Sequence, residues 1–249
     1  MEEPLVSIIT PCYNAEKFII ETYQSIKSQT YSKWEWIVVD DMSNDKSCDI
    51  IKKIDDKRVI LLEPGEKLGP ANARNYGINK ASGRYIAYLD ADDLWLPSKL
   101  ELQLNFMKHN NCAFSFTGYE FANEKGIPNG KTVNVPDKMV YKDALRNTTI
   151  WTTTVIFDLN ILEKKDIMMP NIKSEDTALW WEVLKKGYAA YGYNKNLAYY
   201  RRTKGSLSSN KFEAVRRIWC LYRKIANLNI LQSTYCFLFY LKNTVKRRL

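Results

Sequence analysis

Residues 86–93 read Ile-Ala-Tyr-Leu-Asp-Ala-Asp-Asp, an apolar run that passes directly into three carboxylates. The apolar part predicts a buried strand, and the acidic part predicts a turn at the end of that strand. Carboxylate oxygens suit Mg²⁺ or Mn²⁺, which keep some coordination positions for the phosphates of a ligand. Taken alone, the pattern is equally consistent with a structural turn whose acidic side chains are solvated.

The segments before this stretch alternate between strand patterns and helix patterns. Strands are predicted at 6–10, 34–39, 59–62 and 84–90, and helices at 16–29, 43–54 (caps included) and 69–81. Such alternation implies a parallel sheet with right-handed crossovers. In open sheets of this kind, ligands bind beyond the carboxyl ends of the strands.

Polar side chains follow three of these strands at the point where each strand ends. Tyr13 and Asn14 follow the first strand, Asp40 and Asp41 follow the second, and the carboxylates of 90–93 follow the fourth. They are therefore expected to converge on one crevice. No G-x-G-x-x-G or Walker A motif occurs in the chain, which argues against dinucleotide or P-loop chemistry.

After Pro97 the pattern of the chain changes. A helix is predicted at 98–109, a strand at 112–119, a loop or hairpin at 123–137 and a strand at 151–157. Ser174, Glu175 and Asp176 then resemble the capped start of a helix that extends to about residue 186. We find no internal repeat.

Together with 83–95, four further stretches resemble glycosyltransferase family 2 enzymes of the GT-A type. They are Ser-Ile-Ile-Thr-Pro-Cys-Tyr-Asn at 7–14, Val-Val-Asp-Asp-Met-Ser at 38–43, Ala-Arg-Asn-Tyr-Gly at 73–77 and Ser-Glu-Asp-Thr-Ala-Leu-Trp at 174–180. They follow the order and spacing of the family over about the first 185 residues. Tyr-Tyr-Arg-Arg at 199–202 and Ser-Leu-Ser-Ser-Asn-Lys at 206–211 are similar to a bacterial subgroup that acts on teichuronic acid, capsule or O-antigen.

The resemblance implies an α/β fold of the GT-A type, with a mostly parallel central sheet flanked by helices and a basic helical extension at the C-terminus. Residues 1–97 would form the nucleotide-sugar-binding half, 98–200 the acceptor-binding half, and 201–249 a lid or linker with an amphipathic tail. The implied reaction is an inverting, Mn²⁺- or Mg²⁺-dependent transfer of a single sugar. The donor would be a nucleotide sugar carrying UDP, with dTDP as an alternative. The acceptor would be a hydroxyl of a glycan or lipid-linked glycan.

The resemblance also implies roles for individual residues. Tyr13 would lie against the nucleobase and Asp41 would accept its imide N–H, while Asp90 would hold the ribose or diphosphate region. Asp92 would bind the metal. The implied nucleotide site as a whole consists of Pro11, Tyr13, Asn14, Asp41, Arg74 and Asp90, with Arg74 bracing the carboxylates or the diphosphate and Asp93 in a supporting position.

On the acceptor side, Asp176 is the implied general base, because the attacking hydroxyl must lose a proton. A helix-capping role would explain the same acid. Glu175 is expected to be a structural or acceptor-binding partner of Asp176, and one of Trp180 and Trp181 is expected to form a wall of the acceptor site. The Thr152–Thr154 run is expected to be strand, with contacts to the acceptor as the lesser alternative. Arg201 or Arg202 could meet the diphosphate from a mobile lid.

The net charge of +9 is unevenly distributed. From residue 201 onward there are 12 Lys/Arg and one acidic residue, whereas the first 200 residues carry 25 Lys/Arg and 27 Asp/Glu. Apolar residues of the tail recur at helical spacing, so the tail is either an interfacial helix on an anionic membrane or a helical pair packed on the domain. No apolar run is long enough to span a bilayer and no secretory signal is expected, so the predicted location is cytoplasmic, on the inner face of the membrane.

Two other kinds of function remain alternatives. A sugar nucleotidyltransferase would share the fold, but the Gly-rich phosphate loop with a nearby lysine is absent after the first strand. A non-catalytic protein that binds nucleic acid or membrane would use the basic tail. The acidic strand ends would repel a phosphate backbone, so no nucleic-acid partner is expected.

Overall fold

The computed structural model describes residues 3–202 and 211–248. Its first part is a parallel α/β unit. The strands are β1 (Val6–Cys12), β2 (Trp34–Asp40), β3 (Val59–Leu62) and β4 (Tyr85–Tyr88), joined by helices α1 (Ile19–Lys27), α2 (Ser47–Lys52) and α3 (Gly69–Lys80). The strand order β3-β2-β1-β4 places β1 between β2 and β4. The chain therefore reverses direction across the sheet at β1, where open α/β sheets form their ligand crevice.

Helix α3 packs unusually close to this sheet. A Cβ atom on Gly77 would meet Ile9 Cγ2 at 2.8 Å and Val39 Cγ2 at 3.2 Å. Only glycine therefore allows the helix to pack at this distance from β1 and β2. This packing fixes the first turn of α3 beside the loop that follows β2, and the site described below depends on it.

The second part of the chain extends the same sheet. Its elements are β5 (Leu94–Trp95), α4 (Lys99–Asn110), β6 (Phe114–Ala122), β7 (Pro128–Val133), β8 (Lys138–Met139), α5 (Tyr141–Ala144), β9 (Ile156–Asp158), α6 (Glu175–Lys185) and β10 (Ala190–Arg201). The sheet continues in the order β4-β9-β6-β10-β5. Strand β9 is antiparallel to both β4 and β6, and β10 is parallel to β6. The predicted α/β sheet flanked by helices is confirmed, with a mixed second half.

The C-terminal segment forms helices α7 (Lys211–Lys224) and α8 (Ile230–Arg248). Tyr222 stacks on Trp181 of α6 with ring centroids 5.2 Å apart, and its hydroxyl donates to the carbonyl of Leu145 at 2.6 Å. Cys236 and Tyr240 of α8 join the same buried cluster. The two helices therefore pack on the domain. Within 3–202 and 211–248, no helix is long and apolar enough to cross a membrane.

Helix α8 leaves a second apolar face uncovered. Leu231, Tyr235, Leu238 and Val245 recur at helical spacing, and Leu231 and Leu238 are 82% and 60% exposed. These four residues are called the α8 stripe below. Arg146 lies beside it, 5.0 Å from the ring centroid of Tyr235. The tail was predicted either to pack on the domain or to lie on a membrane. Helix α7 and the inner face of α8 pack on the domain. The α8 stripe is exposed and remains available for another contact.

Two strands differ from the local predictions. The strand predicted at 151–157 is wrong for its first half: Thr152–Thr154 is a 3₁₀ helix, and only Ile156–Asp158 is strand. Strand β10 was not predicted, because its pairing with β6 is irregular between Tyr193 and Tyr199 and the apolar alternation is interrupted there. The segment 123–137 contains the β6–β7 hairpin, as one of its two interpretations expected. Most of the expected lid, 203–210, lies outside the described residues.

Candidate functional site

The loop after β1 is tied to the loop after β2. Asn14 adopts a left-handed backbone with φ of 51°. Its N–H donates to Ser43 Oγ at 3.0 Å, and its Oδ1 accepts from the N–H of Asn44 at 2.8 Å. Pro11 lies inside β1, three residues before this link. The ring of Tyr13, between Pro11 and Asn14, is about half exposed and offers a face to a flat ligand.

Asp41 follows β2 directly, and its buried side chain lies against the N-terminus of α3. Its Oδ1 accepts from the N–H groups of Leu68 and Gly69 at 2.6 and 3.0 Å. Backbone N–H groups at a helix N-terminus suit a carboxylate, so Asp41 is held in one position. Lys67 adds a 3.2 Å ion pair to Asp41, and its Nζ lies 2.9 Å from the ring centroid of Tyr13. Lys67 thus joins two predicted site residues, although it lies in none of the sequence motifs.

Arg74 connects the carboxylates of the two halves. Its Nη2 donates to Asp90 Oδ1 at 2.6 Å, and its Nη1 donates to Glu175 Oε1 at 3.2 Å. The arginine is buried in α3. Burial alone would lower the pKa of Arg74, but the charges of Asp90 and Glu175 raise it above its usual range. Burial, followed by the charge of Asp176, raises the pKa of Glu175. A strand-end acid and the start of α6 are therefore held together through one guanidinium.

Asp92 and Asp93 have different surroundings. Burial, followed by the charge of Asp90, raises the pKa of Asp92 to about 6. Asp93 is fully enclosed: its carboxylate accepts from Thr153 Oγ1 at 2.5 Å, Trp151 Nε1 at 3.1 Å and the N–H of Arg201 at 3.0 Å. Burial, together with the charge of Asp92, raises the pKa of Asp93 well above the usual range. Asp93 therefore joins three segments of the chain, while Asp92 keeps its carboxylate for another partner.

The donor set determines which kind of metal site is possible. In the part of the chain that the structure describes, no three His, Cys, Asp or Glu side chains are close enough to hold a metal ion by themselves. Mg²⁺ and Mn²⁺ are commonly bound by one or two protein carboxylates, with ligand phosphates and water completing the shell. Asp92, with its raised pKa and the neighbouring Asp90, suits such a site, because a bound cation would favour the ionised carboxylate. The residues fit a metal that binds together with a phosphorylated ligand.

The 3₁₀ helix Thr152–Thr154 contacts the acids of both halves. Thr152 Oγ1 donates to Asp176 Oδ2 at 3.1 Å. Thr153 Oγ1, which donates to Asp93, also accepts from the N–H of Asp90 at 3.3 Å. The sequence predicted these threonines as strand residues, with acceptor contact as the lesser alternative, and did not predict their hydrogen bonds to the acids. The 3₁₀ turn places consecutive hydroxyl groups in different directions, which a strand assignment does not anticipate.

Asp176 lies in the first turn of α6, partly exposed. Ser174, at the cap position, has a left-handed backbone with φ of 61° and makes no side-chain cap hydrogen bond. The prediction of capping by the Ser174 side chain is therefore wrong, whereas Asp176 Oδ1 accepts from the N–H of Thr177 at 2.6 Å, as the helix-capping interpretation of this acid expected. A non-glycine residue in this conformation costs about 1 kcal/mol, and such strain is concentrated at functional sites. The strained turn directs the start of α6 toward Arg74 and Thr152.

Burial corrects two predictions: that a tryptophan of α6 forms a wall of the acceptor site, and that Arg201 belongs to a mobile lid. Trp180 and Trp181 are both core residues, and Trp180 packs on Phe114 and Phe157, so neither forms a wall of an open site. Arg201 is the last residue of β10 and its side chain is only 1% exposed.

The contacts of Arg201 do not fit the predicted role of a lid residue that moves onto a ligand. Its Nε donates to the carbonyl of Asp92 at 2.7 Å, and its Nη2 pairs with Glu21 at 2.7 Å. It therefore supports the acidic turn from behind. Arg202 is exposed, with its guanidinium 3.9 Å from the ring centroid of Phe121.

Comparison with known proteins identifies the family of the chain. Residues 7–168 match the family described as "Glycosyl transferase family 2". The chain is 45% identical over 250 residues to a Bacillus subtilis protein assigned to teichuronic acid biosynthesis as the glycosyltransferase TuaG, covering 99% of this chain and 98% of that one. It is 37% identical over 248 residues to the Escherichia coli UDP-Glc:α-D-GlcNAc-diphosphoundecaprenol β-1,3-glucosyltransferase WfgD, covering 99% and 96%.

Solved structures show the same fold at low sequence identity. Staphylococcus aureus TarS 1–349 in complex with UDP-GlcNAc superposes with a TM-score of 0.72 at 21% identity, covering 96% of this chain and 72% of that one. The mannosyltransferase PcManGT from Pyrobaculum calidifontis, in complex with GDP-Man and Mn²⁺, superposes with a TM-score of 0.73 at 18% identity, covering 98% and 75%. Both share the architecture described above.

Proposed function

The chain is a glycosyltransferase of family 2, and from this premise we propose that it transfers one sugar from a UDP-sugar to a hydroxyl of a lipid-linked glycan. The proposed transfer inverts the anomeric carbon, needs Mn²⁺ or Mg²⁺ and serves surface polysaccharide synthesis. The observation that carries the proposal is the Arg74 link, which joins Asp90 at the strand end to Glu175 beside Asp176. This link holds the proposed donor-side acid and the neighbour of the proposed base in fixed positions relative to each other.

On the donor side, in the half 1–97, the Tyr13 ring would stack on the uracil and Asp41 would accept its imide N–H. Pro11 and Asn14 shape this pocket. The two backbone N–H groups that donate to Asp41 hold its carboxylate in position for this contact. Lys67, which lies over the Tyr13 ring, would have to move from that face or leave the base the opposite one.

Asp90 and Asp92 would face the ribose and the diphosphate, and Asp92 would hold the cation. A bound cation would neutralise the negative charge that grows on the departing nucleoside diphosphate. Arg74 keeps Asp90 in place, and the enclosed Asp93 keeps the turn rigid through its contact with Arg201. Such preorganised charges act without rearrangement during the reaction.

On the acceptor side, in the half 98–200, Asp176 would take the proton of the attacking hydroxyl. Its Oδ2 is oriented by Thr152, and its neighbour Glu175 is neutralised by Arg74. Arg74 thus reduces the repulsion between these two neighbouring acids, and it keeps Glu175 paired while Asp176 meets the hydroxyl. Attack from this side, opposite the leaving diphosphate, leads to inversion.

The acceptor is proposed to be lipid-linked, because the relative WfgD acts on GlcNAc-diphosphoundecaprenol by its name. The α8 stripe provides a matching membrane contact: its apolar side chains face outward beside Arg146, and Lys246, Arg247 and Arg248 follow it directly in the sequence. Apolar burial combined with cationic residues is the usual composition of an interfacial helix on anionic lipid. We therefore propose peripheral attachment to the cytoplasmic leaflet through α8.

A donor panel tests the proposed function. Purified protein is incubated with Mn²⁺ and UDP-, dTDP- or GDP-sugars, and release of the nucleoside diphosphate is measured with and without a GlcNAc-diphospho-lipid acceptor. The proposal expects one UDP-sugar to be consumed, faster with acceptor, and expects the activity to be lost in Asp92→Asn and with EDTA. Undiminished turnover with EDTA, or in the variant, would contradict the metal site.

A further inference from the structure

A groove with an apolar floor and cationic walls runs between α7 and the loop that precedes α6. It encloses about 350 Å³, the lower end of the usual range for ligand sites. Ile172, Leu221 and Ile225 provide apolar lining, and Lys173, Arg216, Arg217 and Lys224 provide the charge. These residues are called the α7 groove below. No part of the proposed donor site lies in it.

The charge of the α7 groove is unbalanced. Lys173, Arg216 and Arg217 all approach the same carboxylate, Glu213, at 3.4, 3.7 and 3.7 Å. With Lys224, four cationic side chains face one anion. The three distances are at the long end of ion pairing, and Glu213 cannot neutralise the whole set. An excess of three positive charges is left in the groove.

Arg217 is the most constrained of these cations. Its side chain is largely buried, and among the described residues its Nε is an enclosed donor without a hydrogen-bond partner. A buried donor left without a partner costs about 1–3 kcal/mol. A ligand with several anionic oxygens could pair with a guanidinium and nearby ammonium groups at once, and such charge-assisted hydrogen bonds are the strong ones.

The α7 groove lies next to the proposed general base. Lys173 is three residues before Asp176, so their Cα atoms are at most about 11 Å apart. The stacking of Tyr222 on Trp181 fixes α7 to α6, the helix that carries Asp176. The groove and the base therefore belong to one packed unit. In an acceptor whose sugar is attached to a lipid through a diphosphate, that diphosphate is one sugar ring away from the reacting hydroxyl.

We infer that the α7 groove binds the diphosphate of the lipid-linked acceptor, with Lys173 and Arg217 as its main donors and the apolar floor against the first part of the hydrocarbon chain. The inference rests on the proposed function for the identity of the acceptor. A single ligand would then account for the excess of positive charge, for the Arg217 Nε that has no hydrogen-bond partner among the described residues, and for the apolar floor. It also explains how acceptor recognition can be separate from the donor site.

The test is equilibrium binding, which needs no turnover. Farnesyl diphosphate serves as the probe, with inorganic diphosphate and phosphatidylglycerol vesicles as the other two arms. The inference expects farnesyl diphosphate to bind more tightly than inorganic diphosphate, and expects Arg217→Gln and Lys173→Gln each to weaken binding about 10- to 100-fold, the equivalent of one charge-assisted hydrogen bond. Glu213→Gln is expected to tighten binding, a gain that a misfolded protein would not show.

Lys185→Gln is the matched control, since it removes an exposed cation from the far end of α6 and should leave binding unchanged. Equal affinity for the two diphosphates, or no effect of Arg217→Gln, would overturn the inference. So would vesicle binding that depends on Arg217 in the absence of farnesyl diphosphate binding, because it would assign the groove to phospholipid head groups. A protein that binds the probe but consumes no donor would instead contradict only the proposed function.

Discussion

Asp90 at the end of the central sheet accepts a 2.6 Å hydrogen bond from Arg74, a buried residue of α3. The same guanidinium holds Glu175, 101 residues further along the chain. The two halves of the domain are thus joined at their acidic ends by one side chain. This link makes the position of Asp176 relative to the strand-end carboxylates a property of the fold.

Replacing Arg74 with Gln should reduce both stability and activity. Removing one partner of a buried ionic network leaves uncompensated charge and costs about 3–5 kcal/mol. Denaturant unfolding should show this loss, and sugar transfer should fall below detection. Arg84→Gln is the control, because Arg84 forms a comparable 2.6 Å pair with Asp158 away from the site and should leave activity per folded molecule unchanged. Full activity of Arg74→Gln would refute the role of the link.

Replacing Asp92 with Asn should raise stability at neutral pH while abolishing activity. The folded protein raises the pKa of Asp92 from 3.8 to about 6, so ionising this group costs folding free energy. The cost begins above the unfolded pKa, grows as the pH rises and is complete above about pH 6. Without metal, the variant should therefore melt at a higher temperature than wild type at pH 7.5 and at the same temperature below about pH 4.

Asp45→Asn is the comparison variant, because it should change the melting temperature in the direction opposite to Asp92→Asn. Hydrogen bonds from Ser47 and the backbone outweigh burial and lower the pKa of Asp45. This carboxylate stabilises the fold above its unfolded pKa, and that contribution is lost as the pH falls. Asp45→Asn should therefore lower the melting temperature at pH 7.5. If the two variants shifted in the same direction, the electrostatic account of Asp92 would be wrong.

Metal binding should depend on pH through the same group. A carboxylate must be ionised to bind a cation, so the affinity for Mn²⁺ in the presence of UDP should fall as the pH drops through about 6. Isothermal titration at pH 5, 6 and 7.5 measures this, with release of protons on binding near pH 6. An affinity that does not change between pH 5 and 7.5 would exclude Asp92 as the ligand.

Replacing Thr152 should affect catalysis, whereas replacing Thr153 should affect stability. Thr152→Val removes the hydrogen bond to Asp176 and should lower kcat about tenfold, with the donor KM unchanged, because only the base is misplaced. Thr153→Val leaves the enclosed Asp93 with one donor fewer and should cost about 1–3 kcal/mol of stability. Thr154→Val, whose hydroxyl bonds only the carbonyl of Trp151 in the described structure, is the control. Equal effects of all three variants on kcat would argue against a positioning role for Thr152.

The α8 stripe should carry membrane binding. Two buried leucines contribute about 1.5–3 kcal/mol each, so Leu231→Glu combined with Leu238→Glu should reduce flotation with phosphatidylglycerol vesicles at least about a hundredfold. Ile127→Glu places the same charge on an exposed apolar residue of the β6–β7 turn and should have no effect. Complete retention of the wild-type protein in the soluble fraction, without vesicle binding, would defeat the proposal of peripheral attachment.

The sequence was most informative where function and local pattern coincide. The strand ends that carry Tyr13, Asp41 and Asp90 were predicted from apolar runs that stop at polar residues, and the structure brings them to one edge of the sheet. Helix α3, which begins at Gly69, was predicted with the correct start and with an end one residue too late. These features are local, so a short window contains the information that specifies them.

What the sequence could not supply was the identity of partners that are distant along the chain. Arg201 is fixed by Asp92, Asp93 and Glu21, up to 180 residues away, and a basic pair after a strand does not distinguish such an anchor from a lid. Trp180 and Trp181 are both buried because α7 covers one side of α6, which the pattern of α6 alone does not show. Lys67 stands in no motif and becomes visible only through its contact with Tyr13.

The reaction product tests the central claim most directly. Wild-type protein, Mn²⁺, the UDP-sugar selected by the panel and a GlcNAc-diphospho-lipid acceptor are incubated together, and the product is analysed by mass spectrometry and proton NMR. The account predicts an acceptor that is heavier by one sugar, joined with the anomeric configuration opposite to that of the donor, and no product from Asp176→Asn. Retention of the donor configuration, addition of many sugars by the purified enzyme, or full activity of Asp176→Asn would contradict it.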